Sequence, residues 1–308
     1  MIKEILAALF ALCLVSGAGT ASAQSCNTYP NTLTNGTSAD ANQVMANFNY
    51  VLNCVNSQAS GAVLRGRLGG LTLSNNATNP NTVINTAAGV ANSDDATYNM
   101  SLAAFTKNAN AAWALGNGNG CLDSGSALAA STWYHLFVIA RTDTGVVDEL
   151  CSTSASAPTM PASYTKKRRI GSFRTNSSSQ ILGFSQNGDE FLLKTPITDL
   201  NSVTIGTSAR SLVTLTVPTG IQVNAWINVL AISSTGAFGT LLTSPDQADG
   251  APIPTQLDLY ANGANLYVSG RFNIRTSIGA QIGVRSNPVS ASYSVNTLGW
   301  IDTRGRFN

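Results

Sequence analysis

This chain is short of charge. Charged residues make up 10% of its 308 positions, against roughly 25% in ordinary soluble domains. Glutamate occurs only at Glu4, Glu149 and Glu190, and His135 is the sole histidine. Any Ser–His–Asp arrangement would therefore have to use His135. Its place inside the most apolar run, Trp133–Ile139, favours a hydrogen-bonded structural histidine, since a central strand is seldom open to substrate. Long apolar runs are also scarce. Ile5–Val15 falls short of the roughly 20 residues that a membrane-spanning helix requires, and no later stretch approaches that length, so no membrane span is expected. Without a CxxC pair or a histidine cluster, zinc is disfavoured and no cofactor or metal is expected. The net charge of +2 indicates no acidic partner on balance. No aromatic platform interleaves the basic residues, so nucleic acid is not an expected partner.

What is present is a strand-and-turn vocabulary: glycine, asparagine, serine and threonine, with many β-branched residues. Each glycine disfavours a helix by about 1 kcal/mol relative to alanine, whereas β-branched residues suit a pleated surface. The expected class is all-β, with two jelly-roll-like β-sandwich modules preceded by a short N-terminal α-helix.

Met1–Ala23 reads as a secretory signal peptide, with Lys3 in a charged start, the apolar Ile5–Val15 and a small-residue site Ala21-Ser22-Ala23 before Gln24. Cys13 leaves with that leader. Cys26, Cys54, Cys121 and Cys151 remain, an even set suited to an oxidising compartment. Three pairings are possible. The favoured one joins Cys26 to Cys54, pinning the N-terminal arm to the helix, and Cys121 to Cys151, linking the loop before one strand to the end of the next. The expected destination is secreted, periplasmic or extracellular, with a virion as the alternative.

The helix is expected from about Ser38 to Asn56. Thr37 and Asp40 form an [ST]-x-x-[DE] capping pattern after the Asn35-Gly36 turn. Ala41, Val44, Phe48, Val51 and Val55 recur at alternating spacings of three and four, a narrow apolar seam of the kind that packs against copies of itself. Two heptads are too short to hold a coiled coil alone, so the β modules would share the assembly. The other reading packs the seam on its own domain.

Short strands are expected from Leu71 onward, including Thr82–Ala91, Thr97–Phe105, Ala111–Leu115, Thr132–Arg141, Val146–Cys151, Arg169–Arg174, Gln180–Phe184 and Glu190–Leu193, separated by turns such as Asp143-Thr144-Gly145. Trp133–Ile139 is apolar on both sides and should be a central strand covered on both faces. Further on, strict alternation sets Val223, Ala225, Ile227, Val229 and Ala231 against Gln222, Asn224, Trp226 and Asn228. Likewise Tyr267, Arg271 and Arg275 share a wet face opposite Val268, Phe272 and Ile274, a surface able to bind something or meet another subunit. The expected divisions are 1–23 leader, 24–60 arm and oligomerisation helix, 61–198 first β module and 199–308 C-terminal sandwich.

Three carboxylate doublets, Asp94-Asp95, Asp148-Glu149 and Asp189-Glu190, could serve glycoside cleavage. Adjacent strand residues point to opposite faces, so none forms a pair by itself. Lys166-Lys167-Arg168-Arg169 is the one concentrated charge. It could grip phosphate or an anionic polysaccharide; the blander reading is a solvated turn, or an edge strand guarded by lysine.

The run Asn31–Asn49, which contains Leu33-Thr34-Asn35-Gly36-Thr37 and Val44-Met45-Ala46-Asn47-Phe48-Asn49, resembles the "LTNGTxADAxxVMANFN" segment of bacteriophage tail-fibre and other virion-associated proteins. Downstream phrases up to about Pro196, such as Trp133-Tyr134-His135 and Lys167-Arg168-Arg169-Ile170-Gly171, are similar to a β-rich module of phage and prophage structural proteins. That resemblance implies a homotrimeric, fibrous or knob-like assembly that contacts a host-surface glycan or receptor. Tail proteins assemble in the cytoplasm and leave by lysis, so a leader also admits a secreted protein built from the same parts. The expected function is structural and adhesive rather than enzymatic; a polysaccharide depolymerase or a sugar-binding module on the same scaffold is the alternative.

Overall fold

The structure, a computed structural model, describes residues 30–34, 36, 40–61 and 65–306, with residues 52–61 described by their backbone alone. The chain divides into two units, Met1–Ala62 and Val63–Asn308.

Among the described residues of the first unit one helix, α1 (Ala41–Gly61), starts later and runs further than the sequence suggests. Asp40 is its N-cap: the Oδ1 atom accepts the Asn42 amide at 2.8 Å, and its carbonyl accepts the Val44 amide. An Asp directly before the first helical residue caps better as the N-cap than as the third residue of a capping box, which moves the start to Ala41. Thr37 lies outside the described residues. The arm before the helix is held by Asn47, whose side-chain oxygen accepts the Asn31 amide at 3.0 Å and whose Nδ2 donates to the Asn31 carbonyl at 2.9 Å.

The second unit is built of strands. Its first part contains β1 (Leu68–Gly70), β2 (Leu73–Asn75), β3 (Val83–Thr86), β4 (Gly89–Asn92), β5 (Asn99–Leu102), β6 (Phe105–Ala112), β7 (Gly120–Leu122), β8 (Trp133–Ala140), β9 (Val147–Ser152) and β10 (Lys166–Arg174). Seven of these form one sheet in the order β10-β8-β9-β7-β6-β3-β2, and β1-β4-β5 form a second. The second part contains β11 (Phe184–Asn187), β12 (Glu190–Ile205), β13 (Ser211–Thr214), β14 (Asn224–Ile232), β15 (Phe238–Thr243), β16 (Leu259–Ala261), β17 (Tyr267–Arg275), β18 (Gln281–Asn287) and β19 (Ala291–Ile301). These make a five-stranded sheet, β11-β12-β19-β14-β17, and a four-stranded sheet, β13-β18-β15-β16. The described residues are mostly β with one helix near the N-terminus, in line with the composition.

Several local expectations are met. Every residue of β8 is buried, because β10 and β9 flank it and apolar groups cover both faces. β8 and β9 form a hairpin closed by Gly145 at φ +73°, a value that suits glycine. The alternation in β14 buries Ala225, Ile227, Val229 and Ala231. Cys121 and Cys151 form a disulfide with Cα atoms 5.0 Å apart, joining the neighbouring strands β7 and β9. The expected Cys26–Cys54 pair lies outside the described residues and side chains.

Several segments differ from expectation. Thr97–Phe105 breaks at residues 103–104 between β5 and β6, Ala111–Leu115 is strand only where β6 ends at Ala112, and Gln180–Phe184 holds just an isolated bridge at Ile181 before β11 begins at Phe184. Thr82–Ala91 is not one strand: it breaks at Ala87-Ala88 into β3 and β4, which belong to different sheets. At the start of β4 a Cβ on Gly89 would fall 2.3 Å from the Gly69 carbonyl oxygen, so the close pairing with β1 needs a bare backbone there. Expected over Glu190–Leu193, β12 instead runs on through residue 199 to Ile205, paired along its length with β19. The β11–β12 hairpin is thereby part of the five-stranded sheet.

One continuous core links both parts. At its junction Trp300 stacks on Phe191 at 5.2 Å and meets Trp133 edge-on at 5.2 Å, arrangements that suit aromatic quadrupoles. Gly171 of β10 packs there too; a Cβ would lie 2.6 Å from Leu73 Cδ1.

Candidate functional site

The basic run Lys166–Arg169 opens β10 rather than forming a turn, and β10 is the outer strand of the seven-stranded sheet. Its side chains are tied down one after another. Lys166 Nζ binds Asp95 Oδ2 at 2.6 Å, and Lys167 Nζ binds Asp94 Oδ2 at 2.6 Å while lying 5.7 Å from the Phe137 ring centre. The ammonium of Lys166, with help from Ser93, holds the Asp95 carboxyl well below the usual range.

Arg169 forms a buried two-pronged pair with Asp302, Nη1 to Oδ2 at 2.6 Å and Nη2 to Oδ1 at 2.7 Å. Burial alone would raise the Asp302 carboxyl, but Arg169 outweighs it and the net direction is down. Asp302 also accepts the Arg304 amide at 2.8 Å, which shapes the turn that follows β19. Arg304 and Arg306 both reach back to Asp189 in the β11–β12 turn.

Between β10, the tail after β19, and residues 220–224 leading into β14 lies a cleft of ≈ 760 Å³. Six cationic side chains line it, from Arg65, Lys167, Arg168, Arg169, Arg275 and Arg304, against two carboxylates, Asp94 and Asp302. Arg168 is its most unusual member. The residue is 4% exposed, its Nη1 stands 3.8 Å from Asp94 Oδ1, and its Nε and Nη2 have no hydrogen-bond partner. Burial pulls the guanidinium down from its ordinary value, with Asp94 opposing; it remains charged, as arginine does in proteins.

His135 lies behind this cleft, fully buried, with Nδ1 2.9 Å from Ser172 Oγ. Burial first, then the charge of Arg169, lowers it to about 4, so the ring is neutral at ordinary pH. It is placed as a structural histidine. Of the carboxylate doublets only Asp148-Glu149 lies within a strand, β9, where alternation sends its two side chains to opposite faces; Asp94-Asp95 sits in the turn after β4 and Asp189 in the β11–β12 turn. Asp148 pairs with Lys107 at 2.7 Å and accepts the Gly116 amide, both side chains being fully buried. Glu149 faces the main core beside Thr86; burial lifts it to about 7. Lys107 also donates to the carbonyls of Ala114 (2.8 Å) and Gly116 (3.0 Å), which anchors the glycine-rich Gly116–Gly120 loop.

Of the residues marked as a possible binding face, Arg275 sits in the cleft wall, paired with Asp246 at 2.9 Å. Tyr267 and Arg271 share its outward face of β17 but do not line the cleft; Tyr267, 71% exposed, is at the far end of the strand. Along α1, Phe48 is 65% exposed and Val51 40%, with Ala41 exposed and Val44 half-buried; the Val55 side chain lies outside the described ones. Asp302 and Arg304 escaped the sequence reading. The only signal was a charged Asp-Thr-Arg-Gly-Arg ending after a strand.

Among the described residues no group of three or more His, Cys, Asp or Glu could hold a metal ion, and no helix is long and apolar enough to cross a membrane. No protein-family model matches the chain, and no curated protein does. Among solved structures, it is similar to a crystal structure of a Bacillus thuringiensis Cry1Da tryptic core variant, at 8% identity and a TM-score of 0.18, over 75% of this chain and 50% of that one. A likeness that weak carries no argument.

Proposed function

We propose that this protein is a non-enzymatic structural and adhesive component, secreted or carried on a virion, that assembles through its N-terminal helix as a homotrimer and presents its β unit to a host or cell surface. The observation that supports this reading is the ridge on α1. Met45, Phe48 and Val51, at 57%, 65% and 40% exposure, form an outward apolar strip on a helix whose capping and arm contacts are otherwise satisfied. Fully burying an exposed side chain of this kind stabilises by about 1.5–3 kcal/mol; these three are already partly covered, so each contributes less, and the β units would have to add contacts to drive association. The tail-fibre-like resemblance of Asn31–Asn49 takes in Met45 and Phe48 of that strip.

The test is mass in solution by sedimentation equilibrium, for the full chain and for Phe48→Asp and Val51→Asp. A trimer that becomes monomeric in either variant, with unchanged circular dichroism, supports the reading. A monomeric full chain, or a trimer indifferent to both charges, overturns it.

A further inference from the structure

We propose that the cleft beside β10 binds an acidic saccharide, with Arg168 receiving one of its carboxylates. This goes beyond the assembly reading and does not depend on the oligomeric state.

A buried, charged donor with unmade hydrogen bonds is costly, and native structures seldom keep one without a use. In Arg168 the two unpartnered atoms are Nε and Nη2, the pair that forms one edge of the guanidinium fork. That edge takes both oxygens of a carboxylate. The same chain displays the geometry elsewhere: Arg141 holds Asp143 with Nε 3.0 Å from Oδ1 and Nη2 2.7 Å from Oδ2. Arg168 has an equivalent edge that meets no acceptor, both of its atoms being buried. Arg304, also 4% exposed and also lining the cleft, has an unpartnered Nη1.

The surroundings indicate the kind of molecule. A volume of ≈ 760 Å³ suits an organic ligand rather than a lone ion, since small-molecule sites span roughly 300–1,000 Å³. Arg65 and Arg275, both exposed, supply a positive field that draws in anions. Gln222, Asn224 and Thr303 offer the donors and acceptors that sugar hydroxyls use. Phe137 is the single aromatic ring of the lining, and the Lys167 ammonium already lies over it. Stacked bases would find no platform there, which disfavours nucleic acid. The backbone at Gly305 stands beside Arg168, where a Cβ would lie 3.9 Å from Nη2. Binding requires this tail turn to give way, and a glycine there leaves no side chain to displace.

Isothermal titration calorimetry at low salt with short oligogalacturonides, and with neutral cello-oligosaccharides as control, tests the proposal. The acidic sugar is expected to bind and the neutral one not. Arg168→Gln and Arg168→Lys should each weaken binding about tenfold or more, since lysine keeps the charge but loses the fork. Arg275→Gln should weaken it about threefold without moving the melting temperature. Absence of binding, equal binding of the neutral sugar, or wild-type affinity in both Arg168 variants would overturn the proposal. Displacement by equimolar inorganic phosphate would also overturn it, by reducing the cleft to a simple anion site. Should Arg168→Gln not fold, the lysine variant and Arg275→Gln decide the matter.

Discussion

Arg169 and Asp302, 133 residues apart, meet in a two-pronged ion pair with side chains 10% and 2% exposed. One belongs to the outer strand of the first large sheet, the other to the turn after the last strand of the second. Together with the Trp133–Trp300–Phe191 cluster, this pair makes the two β parts share one interior.

Removing one partner should therefore be expensive. Asp302→Asn is expected to cost about 3–5 kcal/mol, because it leaves the Arg169 guanidinium buried and uncompensated. The double replacement Arg169→Met with Asp302→Leu should recover most of that loss. Urea unfolding decides it: a single variant costing under about 1 kcal/mol would show that the pair is solvated or dispensable.

The Cys121–Cys151 bridge closes a loop of 30 residues. Chain-entropy reasoning assigns such a loop about 3–4 kcal/mol. Replacing both cysteines by alanine should lower unfolding stability by that order under oxidising conditions and abolish the sensitivity of stability to dithiothreitol. If wild type and double variant unfold at the same urea concentration, the bridge constrains nothing that the sheet does not already hold.

Lys107 is a fully buried charge of the first sheet, held by Asp148 and by loop carbonyls. Lys107→Met should destabilise by about 3–5 kcal/mol, since Asp148 is left buried without its cation. The Gly116–Gly120 loop should loosen with it. Hydrogen exchange at Gly116 reports this directly, because its amide is bound to Asp148 at 2.7 Å. Unaltered protection there would count against the anchoring role.

Two buried groups give opposite pH slopes. Glu149 is raised to about 7 in the fold from an ordinary 4.5, so its contribution is complete below pH 4.5 and is lost as pH rises through 7. His135 is lowered to about 4 from 6.5, so its contribution is present above pH 6.5 and lost as pH falls through 4. Between pH 5 and pH 7 the two partly cancel. Glu149→Gln should remove the alkaline loss, about 3 kcal/mol, and leave stability rising with pH in that range. His135→Gln should expose the opposite trend. Thermal melts of both variants across pH 4–8 check this, and two parallel profiles would refute the assignment.

The legible parts were those set by local pattern. β8 could be placed because eight successive residues without a wet face leave only a doubly covered strand, and β14 because its period of two has a single burial solution. The Cys121–Cys151 bridge was one of several pairings open to the spacing, and strand adjacency supports it. Thr82–Ala91 misled because a continuous β-favouring run carries no mark of a change of sheet; the break shows only in the pairing, β3 with β2 and β6, β4 with β1 and β5. The cleft was half visible. Lys166–Arg169 stood out as a charge cluster and Arg275 as an outward residue, but nothing in their spacing placed them on one wall.

By itself, then, the sequence determined the class: scarce charge, abundant turn formers and alternating apolar positions leave strands as the means of burial, with one amphipathic helix near the beginning. Only the tertiary structure decided which charges are met and which are left open. Strand pairing and β10's outer position bring Arg168 to the tail turn, where Asp302 takes both terminal nitrogens of Arg169 while Nε and Nη2 of Arg168 meet no acceptor. Local periodicity governs which face a side chain takes, whereas partnership between residues more than a hundred positions apart depends on how whole sheets dock.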